Sequence, residues 1–259
     1  MHLALPDLAD AWHLRLAEET CRAADALGLN IRLAVTRGDR AREAEAAVVC
    51  EISDGLGLIM VSDAPLPQHV GRRCRVVAIG PTSDDAVPTV SAGRGHAIEM
   101  AMDHLAGLGH TAIGFGYAGL PYARENTLRL VRQAAGRRAI ADGLQSMDLG
   151  DGGCLAPMVE AAQRRDVTAF LVSDDAVARA LVHALRQADV QIPVDVSVAG
   201  YGHCDTATRC GRLTTVNHPL PEVAHTVVDA IVRGRAPARL EFAPRLEIGA
   251  TSGYAARTS

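Results

Sequence analysis

Two patterns of apolar residues alternate along the chain: a helical spacing of three or four residues, and short continuous apolar runs. In LRLAEETCRAADALGLN (14–30), residues Leu14, Ala17, Cys21, Ala24 and Leu27 are spaced three or four apart, which places them on one face of a helix. A glycine, Gly28, stands where a helix end needs a left-handed residue, and the short apolar run IRLAVT (31–36) follows. The pattern predicts an amphipathic helix, a stop and a buried strand.

This helix–stop–strand unit recurs along the chain. HAIEMAMDHLAGLGH, with Gly109 as its stop, precedes TAIGFGY, and AVARALVHALRQADVQIP precedes VDVSVAG. Short apolar strands between amphipathic helices are typical of a doubly wound α/β fold with parallel sheets and right-handed crossovers. Ligands bind such sheets at the carboxyl ends of the strands. Further predicted elements are helices at 41–54, 155–165 and 221–233, and strands in GLGLIMVS, RVVAIG and VTAFLVSDD.

Length, composition and charge limit the classes of protein to which this chain can belong. The 259 residues, 48% of them hydrophobic, suit one large α/β domain or two smaller lobes, and no apolar run is long enough to span a bilayer. The net charge is −4 and no basic run occurs, so we do not expect this chain itself to bind the phosphate backbone of a nucleic acid. The start lacks a secretory signal, and six scattered cysteines without a CxxC pair indicate reduced thiols. We therefore expect a cytoplasmic protein without a metal site.

The segment GFGYAG (114–119) carries the glycine spacing of a dinucleotide-binding loop. That site needs an acidic residue at the end of the next strand, about 20 residues on. The residues that follow, ARENTLRLVRQAAGRRAIADG, instead predict a helix with Pro121 in its first turn. The glycines are better explained by a strand and the sharply turning loop that leads from it into the following helix, and we expect no cofactor.

Four blocks of the sequence, in the right order and spacing, resemble LacI/GalR-family transcriptional regulators. The opening ALPDLADAWHLRLAEETCRAADALGLNIRLAVT resembles the start of that family's effector-binding domain. DHLAGLGHTAIGFGYAG, LVSDDAVARALVHALRQADVQIPVDVSVAGYG and RLTTVNHPLPEVAHTVVDAIVRG are similar to later blocks of the same domain. The similarity covers nearly the whole chain.

The resemblance implies a periplasmic-binding-protein-like fold of type I, with two Rossmann-like lobes joined by crossover strands around a cleft. It places residues 1–110 and 217–238 in the N-terminal lobe, and 111–216 and 239–259 in the C-terminal lobe. It also implies a homodimer. The family's helix-turn-helix lies N-terminal to this segment, so we expect operator DNA to be bound only through a domain absent from this chain, either because the chain is truncated or because it is a natural stand-alone sensor.

Matching motifs assigns the effector contacts that the resemblance implies. The aromatic after the first strand falls on Trp12 or His13, although Trp12 could instead pack at the lobe edge. Arg124 occupies the first arginine of the family's AR-x-R loop, or forms a surface ion pair. The family's Asn-Asp pair falls on Asp174 and Asp175; a carboxylate there also suits a helix N-cap, and Asp174 is the one predicted to face the ligand. From the first lobe, Ser62 and Asp63 either face the cleft or form an ordinary turn.

Three departures from the family pattern change the expected ligand. The second arginine of AR-x-R is Asn126, and two acidic positions are glycines, followed by Arg94 and by His203. Acidic groups there hold sugar hydroxyls, so their loss argues against an ordinary hexose in the standard pose. Arg94, Arg124 and His203 could favour an anionic ligand, or the pocket has diverged toward an unknown one.

The leading hypothesis is the ligand-sensing and dimerisation domain of a LacI-type repressor, which binds a sugar or a related polar or anionic metabolite and performs no catalysis. The alternative is a solute-binding protein of a transporter, which shares the fold but requires export. Enzyme motifs such as GxSxG, HExxH and a P-loop are absent from the sequence.

Overall fold

The computed structural model describes residues 1–8, 10–62, 74–80, 87–117, 121–138, 140–150, 153–202, 213–235 and 238–255. Within these ranges helices and strands alternate along much of the chain, with consecutive strands within 57–91, 197–217 and 239–247. The chain divides into two compact units: unit 1 comprises 1–93 and 219–243, and unit 2 comprises 94–218 and 244–259. Each unit is built on its own six-stranded sheet. The predicted two-lobed α/β fold is confirmed.

Unit 1 contains an all-parallel sheet with helices on both faces. The chain order of its elements is β1 (His2–Leu5), α1 (Ala11–Asp25), β2 (Arg32–Val35), α2 (Arg40–Ile52), β3 (Gly57–Val61), β4 (Arg75–Ile79), β5 (Thr89–Ser91), α7 (Leu220–Arg233) and β11 (Arg239–Glu241). In space the strands run β11-β5-β4-β3-β1-β2, so β1 and β3 are central and β2 is an edge.

Alternating side chains of the central strands of unit 1 enter two different cores. Leu3 and Leu5 of β1 pack with residues of α1 and α7, whereas Ala4 packs on the opposite face with α2 residues such as Cys50. Burial on both faces explains why these strands are continuous apolar runs in the sequence.

Unit 2 has a second sheet, ordered β12-β10-β9-β8-β6-β7, that is parallel except for the antiparallel edge strand β12. Its helices also cover both faces. The chain order of its elements is α3 (Arg94–Gly107), β6 (Ile113–Tyr117), α4 (Pro121–Gly136), β7 (Leu144–Asp148), α5 (Ala156–Gln163), β8 (Ala169–Val172), α6 (Asp175–Gln187), β9 (Ser197–Gly202), β10 (Thr214–Asn217) and β12 (Arg245–Glu247).

Two separate cores fill the faces of the second sheet. Side chains of α3 and α4 pack with Ile113 and Phe115 on one face, and side chains of α5 and α6 pack with Phe170 and Val172 on the other. Helix α3 therefore packs in unit 2, although the sequence analysis assigns residues up to 110 to the N-terminal lobe. The reason is that its apolar face, including Ile98, is covered by β6, which follows it in the chain.

A buried histidine holds the C-terminal segment of unit 2 in place. His110 Nε2 donates to the carbonyl of Gly253 at 3.0 Å, and its Nδ1 lies 3.0 Å from the hydroxyl of Thr168. The hydroxyl of Ser197 lies 3.0 Å from the same Nε2 and accepts from the Gly253 N–H. Burial lowers the pKa of His110, since charging the ring would require hydration that the site does not offer.

Candidate functional site

The predicted ligand contacts come from the carboxyl ends of the strands in both units. Trp12 and His13 follow β1, Ser62 follows β3, and the pair Asp174–Asp175 follows β8. In a doubly wound fold these strand ends and the helix starts beside them carry the ligand contacts.

Helix α1 begins with Trp12 and His13 in its first turn because Asp10 caps it. The Asp10 carboxylate accepts from the Trp12 N–H at 2.8 Å and from the His13 N–H at 3.4 Å. The partly buried indole of Trp12 packs against the core of unit 1 and meets the His13 ring nearly edge-on, with centroids 5.4 Å apart and planes at 76°. The Trp12 ring thus contributes to the packing of unit 1, and its contact with a ligand stays a prediction.

His13 is a buried polar side chain without hydrogen-bond partners in the described part of the chain. The residue is 1% exposed, and neither ring nitrogen has a partner there. Its Nδ1 lies 3.4 Å from Asp7 Oδ2, close enough for an ion pair when the ring is protonated. The hydroxyl of Thr36, which follows the neighbouring strand β2, is likewise buried and unsatisfied among the described residues. Such groups cost stability unless a ligand or water completes them.

Ser62 is hydrogen-bonded inside unit 1. Its hydroxyl donates to Glu43 Oε1 at 2.8 Å, and Glu43, only 1% exposed, also accepts from Arg40 Nη1 at 3.1 Å. A Cβ at Gly80 would collide with the Ser62 carbonyl, so the two strand ends touch through backbone. Ser62 therefore satisfies a buried carboxylate, a role that the sequence analysis missed.

The adjacent carboxylates after β8 point in different directions. Asp174 caps α6, accepting from the Ala176 and Val177 N–H groups at 2.7 and 3.0 Å. Asp175 is 2% exposed and accepts from the Thr215 hydroxyl. Burial raises the pKa of Asp175 to about 6, against the opposing effect of the Thr215 hydrogen bond. Asp175 is thus tied into the sheet, and the contact of Asp174 with a ligand stays a prediction.

The remaining predicted residues are placed only in part. Arg94 is the first residue of α3 and is partly buried. Arg124 and Asn126 lie near the start of α4, and their side chains are outside the described part of the structure. Asp63 and His203 lie outside the described residues.

The first two glycines of GFGYAG lie inside strand β6, and neither is in a turn. A Cβ at Gly114 would come within 2.5 Å of the Phe170 ring, and one at Gly116 within 2.7 Å of Met158. These glycines therefore allow close packing in the core. An acidic residue, Asp148, does end the next strand, but well beyond the expected spacing of about 20 residues.

The hydrogen-bond partners of the two buried carboxylates, Glu43 and Asp175, were also not predicted from the sequence. Glu43, Ala46, Ala47 and Cys50 are all buried and spaced as one helical face, so the carboxyl of Glu43 stands on an apolar stripe. That spacing signals a carboxylate with a buried partner. Thr215 offers no such signal, because it lies 40 residues from Asp175 in the chain.

Two further structural features are absent from the described residues. No group of three or more His, Cys, Asp or Glu side chains there is arranged to hold a metal ion. None of the described helices combines the length and hydropathy required to cross a membrane.

The sequence matches a known family over more than half its length. The model of the periplasmic binding protein-like domain matches residues 102–252. The chain therefore belongs to the family of periplasmic binding protein-like domains.

Comparison with individual proteins agrees with that assignment. The HTH-type transcriptional regulator reg1 of Streptomyces lividans is 30% identical over 196 residues, 70% of this chain and 56% of reg1. The chain spans about half the length of the curated relatives it matches. The predicted resemblance to LacI/GalR effector-binding domains is confirmed.

Solved structures share the fold along the whole chain. A dimeric Lac repressor aligns with a TM-score of 0.80 at 19% identity, covering 98% of each chain. A LacI family transcriptional regulator from Enterococcus faecium with bound ribose aligns with a TM-score of 0.76 at 18% identity, covering 97% of this chain and 98% of that one.

Proposed function

We propose that this chain is the ligand-sensing and dimerisation part of a LacI-type transcriptional regulator, and that it binds a sugar or a related polar metabolite. The observation that carries the proposal is the pair of buried, unsatisfied side chains at the strand ends of unit 1, His13 and Thr36. Two polar atoms without partners among the described residues, His13 Nε2 and the Thr36 hydroxyl, are suited to hydroxyl groups of a ligand, which both donate and accept. The Trp12 ring beside His13 offers an apolar surface for a sugar face.

The relatives support regulation over transport. The curated relatives are named transcriptional regulators, and the structural neighbour with ribose is a LacI family regulator. Ligand binding would shift the population between conformations of the regulator and so change its affinity for operator DNA, without any chemical step. We place this activity in the cytoplasm, where the operator lies, and assign DNA binding to an N-terminal domain outside this chain.

An exposed apolar edge in unit 1 supports a homodimer. Leu33 and Val35 of edge strand β2 are 42% and 40% exposed. An edge strand with unpaired backbone groups and apolar side chains is a surface for association with another chain. A second copy of this chain, as in the dimeric Lac repressor, is the occupant we propose.

A thermal-shift screen tests the ligand proposal. Ribose, other pentoses, hexoses, their phosphates, nucleosides and organic acids are each added in excess over the chain. A ligand present at about 100 times its dissociation constant adds about 2.7 kcal/mol of apparent stability. The variant Arg124→Ala should lose that shift, and Arg186→Ala, an exposed arginine of α6, should keep it. Absence of any stabilising compound would contradict the proposal.

A further inference from the structure

Two cysteines of unit 1 meet at the edge of the sheet where its strands begin. Cys50 lies in the last turn of α2, which leads into β3, and Cys74 immediately precedes β4. Strands β3 and β4 are parallel neighbours, with Gly57 paired with Arg75 at their starts. The fold therefore brings both cysteines to the amino ends of the same two strands, whereas the predicted contact Ser62 follows the carboxyl end of β3.

The side chains of the two cysteines are in contact. Cys50 is 0% exposed and belongs to the core between α2 and the sheet, and the partly buried Cys74 packs against this core. Their sulfur atoms are close enough for a hydrogen bond between the two side chains. Two thiols in such contact become a disulfide when rotation of their side chains brings the sulfur atoms to bonding distance.

Gly55 makes room for the Cys50 thiol. A Cβ at Gly55 would come within 2.9 Å of both the Sγ of Cys50 and the Nε2 of His2, so a larger residue would displace one of them. The Gly55 N–H also donates to the Cys50 carbonyl at 3.0 Å, which closes the turn after α2. The Cys50 sulfur is therefore held at this edge by close packing.

The surroundings of the pair keep both thiols protonated at neutral pH. Burial raises the pKa of Cys50, and burial together with the hydrogen bond to Cys50 raises the pKa of Cys74 to about 12. The nearby carboxylate of Glu51 acts in the same direction on both. Because the thiolate is the form that reacts with oxidants, the pair should react slowly and respond to sustained exposure.

We propose that Cys50 and Cys74 form a reversible disulfide when the protein is exposed to a hydroperoxide, and that this bond ties the end of α2 to the start of β4. The buried Cys50 is shielded from solvent, so the partly exposed Cys74 is the thiol that meets the oxidant. This modification site does not depend on the proposed effector function.

The oxidation proceeds in two balanced steps. The Cys74 sulfur forms a bond to one peroxide oxygen, the O–O bond breaks, and the departing oxygen takes up a proton and leaves as water or an alcohol. The Cys50 sulfur then attacks the resulting sulfenic acid, the S–O bond breaks, and the hydroxide leaves as water with the proton of Cys50. The two thiols lose two electrons, and the peroxide gains them.

Treatment of the reduced whole chain with hydrogen peroxide at pH of about 8.5 for several hours tests the proposal. Remaining thiols are alkylated, and the chain is digested without reduction and analysed by mass spectrometry. We expect a linked peptide that joins Cys50 to Cys74 within one chain and disappears with dithiothreitol. Hydrogen exchange of the oxidised chain should slow in the last turn of α2 and at the start of β4.

Cysteine variants assign the bond. Cys74→Ser and Cys50→Ala should each abolish the linked peptide, whereas the double variant Cys21→Ser/Cys154→Ser, which removes two exposed thiols, should keep it. Circular dichroism verifies that each variant folds. Complete alkylation of Cys50 and Cys74 after peroxide treatment, a disulfide from either to another cysteine, or loss of the linked peptide in the double variant would overturn the proposal. Unchanged hydrogen exchange in the oxidised chain would contradict the tie between α2 and β4.

Discussion

The hydroxyl oxygen of Thr215 lies 2.7 and 2.9 Å from the two carboxylate oxygens of Asp175 and donates a hydrogen bond to this buried group. The pair joins the start of α6 to strand β10. A Cβ at Gly200 would collide with the Asp175 carboxylate, so glycine in β9 makes room for it. A carboxylate in such surroundings is costly to ionise, and this has a measurable effect on stability.

Asp175 should make unit 2 less stable as the pH rises from acid to neutral. Its pKa is raised from 3.8 to about 6 in the folded protein, a difference equivalent to about 3 kcal/mol. The stabilising contribution is complete below pH of about 4 and is lost as the pH rises through about 6. In urea unfolding, the wild-type advantage over Asp175→Asn should therefore shrink across this window. Exposed Asp142→Asn serves as the control, and equal slopes in wild type and Asp175→Asn would refute the assignment.

His110→Ala should destabilise unit 2 by about 2–4 kcal/mol, because it empties a buried site and removes the contacts of the ring with the Gly253 carbonyl and with the hydroxyls of Thr168 and Ser197. Since the folded pKa of His110 is lowered, the wild-type contribution is present above pH of about 6.5 and is lost as the pH falls. Hydrogen exchange should report faster exchange at Gly253 and Ala255. His183→Ala, at an exposed position, is the control; unchanged exchange in His110→Ala would argue against this anchoring role.

Ser62→Ala should lower the unfolding free energy of unit 1 by about 1–3 kcal/mol, because Glu43 loses a donor while its carboxylate stays buried. Chemical denaturation measures the change. Ser146→Ala removes a hydroxyl from an exposed position of β7 and should have little effect. If both variants unfold alike, the Ser62–Glu43 contact does not stabilise the unit.

Charges on the β2 edge should dissociate the proposed dimer. The variant Leu33→Lys/Val35→Lys places two cations where the apolar edge would meet its copy, and buried like charges oppose association. Sedimentation velocity should show a dimer for the wild type and a monomer for the variant. Val194→Lys, an exposed apolar position of unit 2, should remain dimeric. A wild type that sediments as a monomer, or a double variant that stays dimeric, would contradict the assignment.

Most parts of the fold visible in the sequence are buried on two faces, but β2 was predicted as a buried strand and is an exposed edge strand. β3 and β8 appear as apolar runs, and Gly28 and Gly109 adopt the positive φ that their helix ends require. The edge strand β7, LQSMD, was not predicted because it is half exposed and polar.

At the candidate site, the features that could not be predicted from the sequence depend on contacts between residues far apart in the chain. The sequence predicts that Asp174 and Asp175 lie at a helix start. Which of the two caps the helix and which is buried depends on Thr215, which lies on another strand. Likewise, the buried nitrogens of His13 have no sequence signature, because their isolation depends on how α1 packs on the sheet.

Trp12 is the single tryptophan of the chain and lies beside His13, so its fluorescence reports directly on the proposed ligand site. The most direct measurement is a titration of this emission with each compound that raises the melting temperature. We predict a saturable change in emission with the same dissociation constant as the thermal shift, abolished by Arg124→Ala. A compound that binds and stabilises the chain while Trp12 emission stays constant would contradict it.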